Sequence, residues 1–136
     1  GMLLKPSYTE EDLLGYLGDS CVTEVYGLGG MSSIAGPAYA RFTGATFAEA
    51  KERTEKARAV SLGEHTFAPI PWDEYRGFPV GIDARKVVGY NILPISHGGS
   101  ALKTGGQAGA GAAELPLECF REALRGIRDE ALRKQQ

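Results

Sequence analysis

The segment 94–113, PISHGGSALKTGGQAGAGAA, constrains the fold of this chain more than any other part of it. Six of the fourteen residues from Gly98 to Gly111 are glycine, and we call this stretch the glycine run. Because glycine loses more backbone entropy on ordering than any other residue, a compact protein either uses such a run or leaves it mobile. Three interpretations fit: a loop that cradles a ligand, a loop at an interface, and a flexible connector.

The composition is that of one ordinary globular domain. Of 136 residues, 43% are hydrophobic and 24% are charged, so a core can form without metals or disulfides. We expect a single domain over residues 1–136, with Gly1 left over from the removal of a tag. The net charge of −2 argues against nucleic acid and against an anionic membrane as partners.

The location expected from the sequence is the cytoplasm. No apolar stretch approaches the roughly 20 residues that span a bilayer, and the N-terminus lacks the features of a signal peptide. The two cysteines, Cys21 and Cys119, have no CxxC spacing and are interpreted as buried thiols in a reducing compartment.

Several segments have the alternation or the β-branched residues typical of strands. The predicted strands are 21–26, 38–42, 65–70, 78–82 and 86–95, the last two forming a hairpin around residues 83–85. Residues 86–95 are apolar on both faces, which predicts a central strand in a covered sheet. Pro94 should loosen the pairing of that strand just before the glycine run.

Two long helices have more specific signals. Thr46 and Glu49 have the spacing of a capping box, and Gly63 supplies a stop. The second helix begins near Pro116, and a shorter one is expected within 10–18. The apolar stripe of the helix that begins near Pro116 consists of Leu117, Phe120, Leu124, Ile127 and Ala131. These elements predict an α+β domain: a mostly antiparallel sheet of four to five strands covered by two main helices, in a single pair of layers.

His97 is the residue best suited to chemistry, as a candidate catalytic residue. It lies where the predicted central strand enters the glycine run, and such exits fix a side chain while leaving it accessible. The alternative for His97, as for His65, is a structural or solvent-exposed histidine, and the sequence favours that alternative for both. The sequence has no HxH or HExxH spacing, so no metal site is predicted. The candidate ligand-binding residues are Ser96, His97, Gly98, Gly99, Ser100, Lys103 and Thr104.

The glycine run does not have the pattern of a nucleotide-binding P-loop. Leu102, and not glycine, precedes Lys103 and Thr104, and no helix follows at once. A looser anion site stays open, because the run ends near a helix N-terminus and Lys103 would supply a cation.

Three pieces of the sequence together resemble the GlcG/HbpS-like family, small α+β proteins associated with haem or other small ligands. The pieces are RFTGA at 41–45 with KAR at 56–58, GFPV at 77–80 with Asp83 and VVG at 87–89, and SHGG at 96–99 before the last helix. The resemblance implies binding of haem or a similar cofactor. It places the family's helix threonine at Ala59 or at Thr54, depending on the alignment.

The leading hypothesis is therefore a homo-oligomeric domain that binds a small molecule, with haem as the ligand that the resemblance implies. The helix after Phe47 has a face of small residues, which favours close packing between subunits. The alternative is a small cytoplasmic enzyme in which His97 acts with Ser96, Ser100 or Lys103 on an anionic metabolite. A purely structural subunit, with a large apolar interface and no concave polar pocket, is a third class.

Overall fold

The computed structural model describes residues 2–17 and 21–135 of the chain. In chain order the elements are β1 (Met2–Leu3), β2 (Leu13–Leu17), α1 (Cys21–Tyr26), α2 (Pro37–Phe42), α3 (Phe47–Ala59), β3 (Ser61–Ile70), β4 (Arg76–Ile82), α4 (Ala84–Tyr90), β5 (Ile95–Leu102), β6 (Gln107–Glu114) and α5 (Leu117–Arg133), with 3-10 helices at Glu10–Asp12 and Gly29–Ala35. The predicted α+β class with antiparallel sheets is confirmed.

The glycine run forms the centre of the main sheet. Four antiparallel strands pair in the order β1-β6-β5-β2, and β3 pairs with β4 in a separate two-stranded sheet. His97 on β5 lies opposite Ala112 on β6, and Gly99 lies opposite Ala110. The expectation of a glycine-rich loop is thus wrong, since the run is a β-hairpin whose tight turn contains Gly105 and Gly106 at positive φ.

Close approach of neighbouring backbone explains why small residues occupy these strands. A Cβ atom on Gly109 would lie 2.2 Å from the carbonyl oxygen of Met2, so a larger residue would push β1 away. In the same way, a Cβ atom on Gly30 would lie 2.3 Å from the carbonyl oxygen of Ile95. Glycine at position 30 therefore lets the second 3-10 helix lie directly against β5.

Helix α3 begins as predicted. Thr46 Oγ1 accepts a hydrogen bond from the Glu49 N–H at 3.2 Å, and Glu49 Oε2 accepts one from the Thr46 N–H at 2.7 Å, which completes the capping box. The helix ends at Ala59, four residues before the predicted stop at Gly63, which lies within β3. Its buried face of Ala50, Thr54 and Ala57 is made of small residues, and the Thr54 hydroxyl accepts a hydrogen bond from the Ile34 N–H.

Buried charge joins the β3–β4 hairpin to α3. Arg58 is 9% exposed, and its Nη1 lies 2.7 Å from Asp73 Oδ2 in the turn between the two strands. Arg58 Nη2 also donates to the Gly77 carbonyl at 2.8 Å. These contacts satisfy a guanidinium that would otherwise be costly to bury.

Three predicted strands are helices in the structure, and the predictions for them are wrong. Residues 21–26 and 38–42 lie in α1 and α2, and most of 86–95 lies in α4 and the segment after it. The Asp83 carboxylate caps α4 by accepting a hydrogen bond from the Arg85 N–H, and Asn91 ends that helix at φ 54°. These local signals outweigh the strand preference of β-branched residues. The hairpin expected within 78–95 is absent, because β4 pairs with β3.

The two ends of the chain also differ from expectation. The described part of 10–18 forms one 3-10 turn and then β2, where a helix was expected. Helix α5 follows Pro116 as predicted, but none of its residues is buried and Ile127 is 64% exposed. Cys119 is exposed, so the prediction that it is buried is wrong, and the Cys21 side chain lies outside the described residues. No helix in the described ranges is both long and apolar enough to cross a bilayer.

We expect Gly30→Ala to destabilise the protein and Gly126→Ala to stabilise it. The added methyl group at position 30 collides with β5, whereas position 126 lies inside α5 with no atom within 4 Å of the new Cβ. Helix propensity then favours alanine at 126 by up to about 1 kcal/mol. Thermal unfolding of both variants measures the effect. A Gly30→Ala protein as stable as wild type contradicts the close packing described here.

Candidate functional site: a groove along β5

A groove of about 660 Å³ runs along β5 on the side of α1 and α2, and we call it the β5 groove. It brings together four of the seven predicted ligand-binding residues with side chains from α1, α2 and β6. Its lining consists of Thr23, Glu24, Gly29, Tyr39, His97, Gly98, Gly99, Ser100, Ala101, Gly106 and Gln107. The glycine run thus forms one wall, and hydroxyl, amide and carboxylate groups line the rest.

The ring of His97 is buried in the wall of this groove. The residue is 7% exposed, its Nε2 lies 3.4 Å from Thr43 Oγ1, and its ring centroid lies 5.2 Å from that of Tyr39. Burial, and to a smaller extent the charge of Arg53, lowers the pKa of His97 below the ordinary value of 6.5. The neutral imidazole is therefore favoured.

The hydrogen bonds of Thr43 indicate which ring nitrogen of His97 carries the proton. Thr43 Oγ1 donates to the Ala40 carbonyl at 2.9 Å, so it faces His97 as an acceptor. We infer that Nε2 carries the hydrogen and donates to Thr43, which leaves Nδ1 with a lone pair. Nδ1 is buried and has no hydrogen-bond partner among the described residues.

Glu24 is a candidate site residue that the sequence did not reveal. It is 5% exposed, and its carboxylate accepts the Gly30 N–H at 2.8 Å and the His97 N–H at 3.1 Å. In the described part of the chain, β2 pairs with β5 up to Gly99, opposite Leu17, and the His97 N–H donates to the Glu24 carboxylate instead of to a strand. Burial raises the pKa of Glu24, and the two backbone donors oppose that shift.

Three predicted ligand-binding residues lie outside the β5 groove. Ser96 is buried next to His97 on the strand, where alternation directs the two side chains to opposite faces, and its hydroxyl donates to the His97 carbonyl. Lys103 and Thr104 lie at the β5–β6 turn, and the Lys103 ammonium donates to the Glu11 carbonyl. Lys103 therefore contacts the segment just before β2 and does not line the β5 groove.

His65 is a buried histidine of a different kind. Its ring lies among aromatic side chains, with centroid distances of 4.1 Å to Phe78 and 4.8 Å to both Tyr26 and Phe67. It does not line the β5 groove, so the structure does not bring the two histidines into one site.

The positions that the resemblance assigns to haem ligation do not fit such a role. Thr54 is fully buried and its hydroxyl bonds to the Ile34 N–H, while Ala59 has no ligating atom. His97 directs Nε2 at Thr43 and buries Nδ1, so neither nitrogen is presented to an iron. No group of three or more His, Cys, Asp or Glu side chains that would hold a metal ion occurs in the part of the chain that is described.

Replacing Glu24 by glutamine should lower the free energy of unfolding by about 1–3 kcal/mol. Glutamine offers one acceptor oxygen in place of two, so one of the two buried N–H groups loses its partner. Urea unfolding measures the loss, with Glu118→Gln on the exposed surface of α5 as the control that changes little. Equal stability of the two variants contradicts the role assigned to Glu24.

The lowered pKa of His97 predicts a pH dependence of stability. Between the folded pKa and 6.5 the unfolded chain binds the proton more readily than the folded protein. The contribution of His97 is therefore complete above about pH 6.5 and is lost as the pH falls through that window. Urea unfolding at several pH values between about 7.5 and 5 should show that the free energy of unfolding falls as the pH is lowered. This fall should be smaller in His97→Gln than in wild type. If the free energy of unfolding depends on pH equally in wild type and in His97→Gln, the contribution assigned to His97 is wrong.

Comparison with known proteins finds relatives that are all much longer than this chain. It is 36% identical over 123 residues to the oxamate carbamoyltransferase subunit AllG of Escherichia coli (strain K12), covering 88% of this chain and 29% of AllG. It is also 36% identical over 121 residues to the uncharacterized protein YahG of the same organism, covering 88% of this chain and 26% of YahG.

A solved structure shares the fold. A conserved protein of unknown function from Enterococcus faecalis V583 matches 95% of this chain and 31% of its own chain, with a TM-score of 0.87 and 34% identity. No family model matches. The chain spans less than a third of the length of each of these proteins, and the similarity of fold is shown for the Enterococcus faecalis protein.

Proposed function

We propose that this chain binds a small polar metabolite in the β5 groove and takes part in carbamoyl-group metabolism. The observation that carries the proposal is the groove itself, which is lined by the buried His97, by the buried Glu24 carboxylate that accepts the His97 backbone N–H, and by a glycine-rich strand. A concave site with a few convergent polar groups and shifted pKa values is where ligand binding is expected. The similarity to AllG, whose name refers to carbamoyl transfer to oxamate, supplies the chemical class.

The lining of the groove suits a carbamoyl group. Such a group presents an N–H₂ donor and a carbonyl acceptor side by side, so it needs both kinds of partner. The hydroxyls of Thr23 and Tyr39 and the amide of Gln107 can each donate or accept. Gly98 and Gly99 add no side chains, which leaves room for a ligand to approach the strand.

Binding is favoured over acid–base catalysis by His97. Thr43 occupies Nε2, and Nδ1 is shielded, so neither nitrogen is positioned to exchange a proton with a ligand in the groove. The enzymatic alternative, with His97 acting beside Ser96, Ser100 or Lys103, would require the ring to turn away from Thr43.

Two further expectations stay predictions. Homo-oligomerisation is consistent with the apolar stripe of α5, in which no residue is fully buried and Ile127 is 64% exposed. Haem binding rests on the resemblance to the GlcG/HbpS-like family, while the buried positions of Thr54 and His97 speak against either residue as an iron ligand.

The proposed function is tested by filling the groove. A Cβ atom on Gly99 would make only ordinary contacts, the nearest being Gln107 Nε2 at 3.7 Å, so Gly99→Val should fold and place its methyl groups in the groove. Calorimetric titration with oxamate and with carbamoyl phosphate should show binding to wild type and a loss of at least about tenfold in the variant.

The matched control is Gly63→Val. Gly63 is also a strand glycine, and its Cβ atom would lie 3.8 Å from Val80, outside the groove. It should bind both compounds as wild type does. The proposal is overturned if wild type binds neither compound, or if Gly99→Val binds them as tightly as wild type does.

A further inference from the structure

A second groove lies near the start of β5, between α3 and the open end of the β5–β6 hairpin, away from its turn. Its volume is about 500 Å³, and we call it the α3 groove. Ile95 and Ala112 line it. Ile95 lies two residues before His97 on β5, and Ala112 lies opposite His97 on β6. The two grooves are therefore neighbours on one face of the sheet, with His97 between them.

Most charged side chains of the α3 groove already have partners within the protein. The Glu49 carboxylate accepts two hydrogen bonds from Thr46 as part of the capping box. Lys56 Nζ lies 2.7 Å from Glu52 Oε1, one helical turn away. Glu114, at the end of β6, is exposed to solvent, where its charge is screened.

Arg53 differs from these residues, although its charge also lowers the pKa of Glu49. It is half-buried, it lines the groove, and its Nη1 is buried without a hydrogen-bond partner among the described residues. A guanidinium N–H that is removed from water without an acceptor costs stability. An incoming oxyanion would supply acceptors in the planar arrangement that a guanidinium matches best.

We propose that the α3 groove binds a small carboxylate or phosphate anion, with Arg53 as the residue that holds it. Asn91 supplies a side-chain amide at the same groove, at the point where its left-handed backbone ends α4. The nearness of this cation to His97 agrees with its effect on the pKa of the imidazole. The site does not depend on which ligand occupies the β5 groove.

Calorimetric titration at low ionic strength tests the proposal, with oxalate and inorganic phosphate as the probes. Wild type should bind at least one of them, and the one it prefers distinguishes a carboxylate site from a phosphate site. Arg53→Met should weaken that binding by at least about tenfold, because the charged donor is lost. Arg53→Lys should give an intermediate loss, since it keeps the charge but not the two parallel donors.

Two variants in the same groove serve as controls. Lys56→Met removes a cation that is already paired with Glu52, so binding should change little. Glu114→Gln removes one of the three carboxylates that line the groove and should tighten binding slightly, because solvent screens that charge. Gly99→Val, which fills the other groove, should leave binding of oxalate and phosphate unchanged. Because oxamate and carbamoyl phosphate are themselves anions, their titration is repeated in Arg53→Met, where the binding that Gly99→Val removes should persist. Failure of the metabolite proposal and failure of this one are then distinguishable.

The stability of Arg53→Met gives a readout without any ligand. Removing an N–H group that has no partner should leave the melting temperature unchanged or raise it. Failure of wild type to bind either anion overturns the proposal, as does an equal loss of binding in Lys56→Met and Arg53→Met.

Discussion

The carboxylate of Glu24 joins two parts of the protein that the sheet itself does not connect. One oxygen accepts the N–H of Gly30 in the second 3-10 helix, and the other accepts the N–H of His97 in β5. The His97 N–H lies on the edge of β5 that β2 joins at Gly99, and without the carboxylate this buried donor would lose its hydrogen bond. Both walls of the β5 groove are thus fixed relative to each other by one side chain.

This connection accounts for glycine at positions 29 and 30. A Cβ atom on Gly29 would lie 2.1 Å from a carboxylate oxygen of Glu24, and one on Gly30 would meet the β5 backbone. Burial of the carboxylate raises its pKa, and two backbone hydrogen bonds offset part of that cost. The small residues of α3 then allow the 3-10 helix to pack from the other side, with Thr54 bound to the Ile34 N–H.

Sequence reasoning succeeded where a signal is local and failed where long-range contacts decide. The capping box at Thr46 and Glu49 predicted α3, and Pro116 predicted the start of α5, because each depends on residues a few positions apart. The run at 21–26 contains β-branched residues typical of strands, yet it is helical, and in the helix Glu24 reaches β5. Nothing within that segment encodes a partner more than seventy residues away.

The candidate site follows the same division. His97 and the glycines after it were found from the sequence because they stand together in it. The strands that hold these residues were not predicted, because glycine and alanine have low strand propensity. Residues 95–114 form a hairpin because β5 and β6 pair with each other and with β2 and β1 on their outer edges. Glu24 and Arg53 come from α1 and α3, so only the folded chain shows that they lie near His97.

The central claim is that a buried Glu24 carboxylate holds the Gly30 and His97 amides together. Amide chemical shifts followed by NMR as the pH is lowered test it directly, because an N–H that donates to a carboxylate reports its protonation. Both amide resonances should shift together, with one midpoint above the ordinary glutamate pKa of 4.5. Amides that do not respond, or that respond with a midpoint at or below that value, would contradict it.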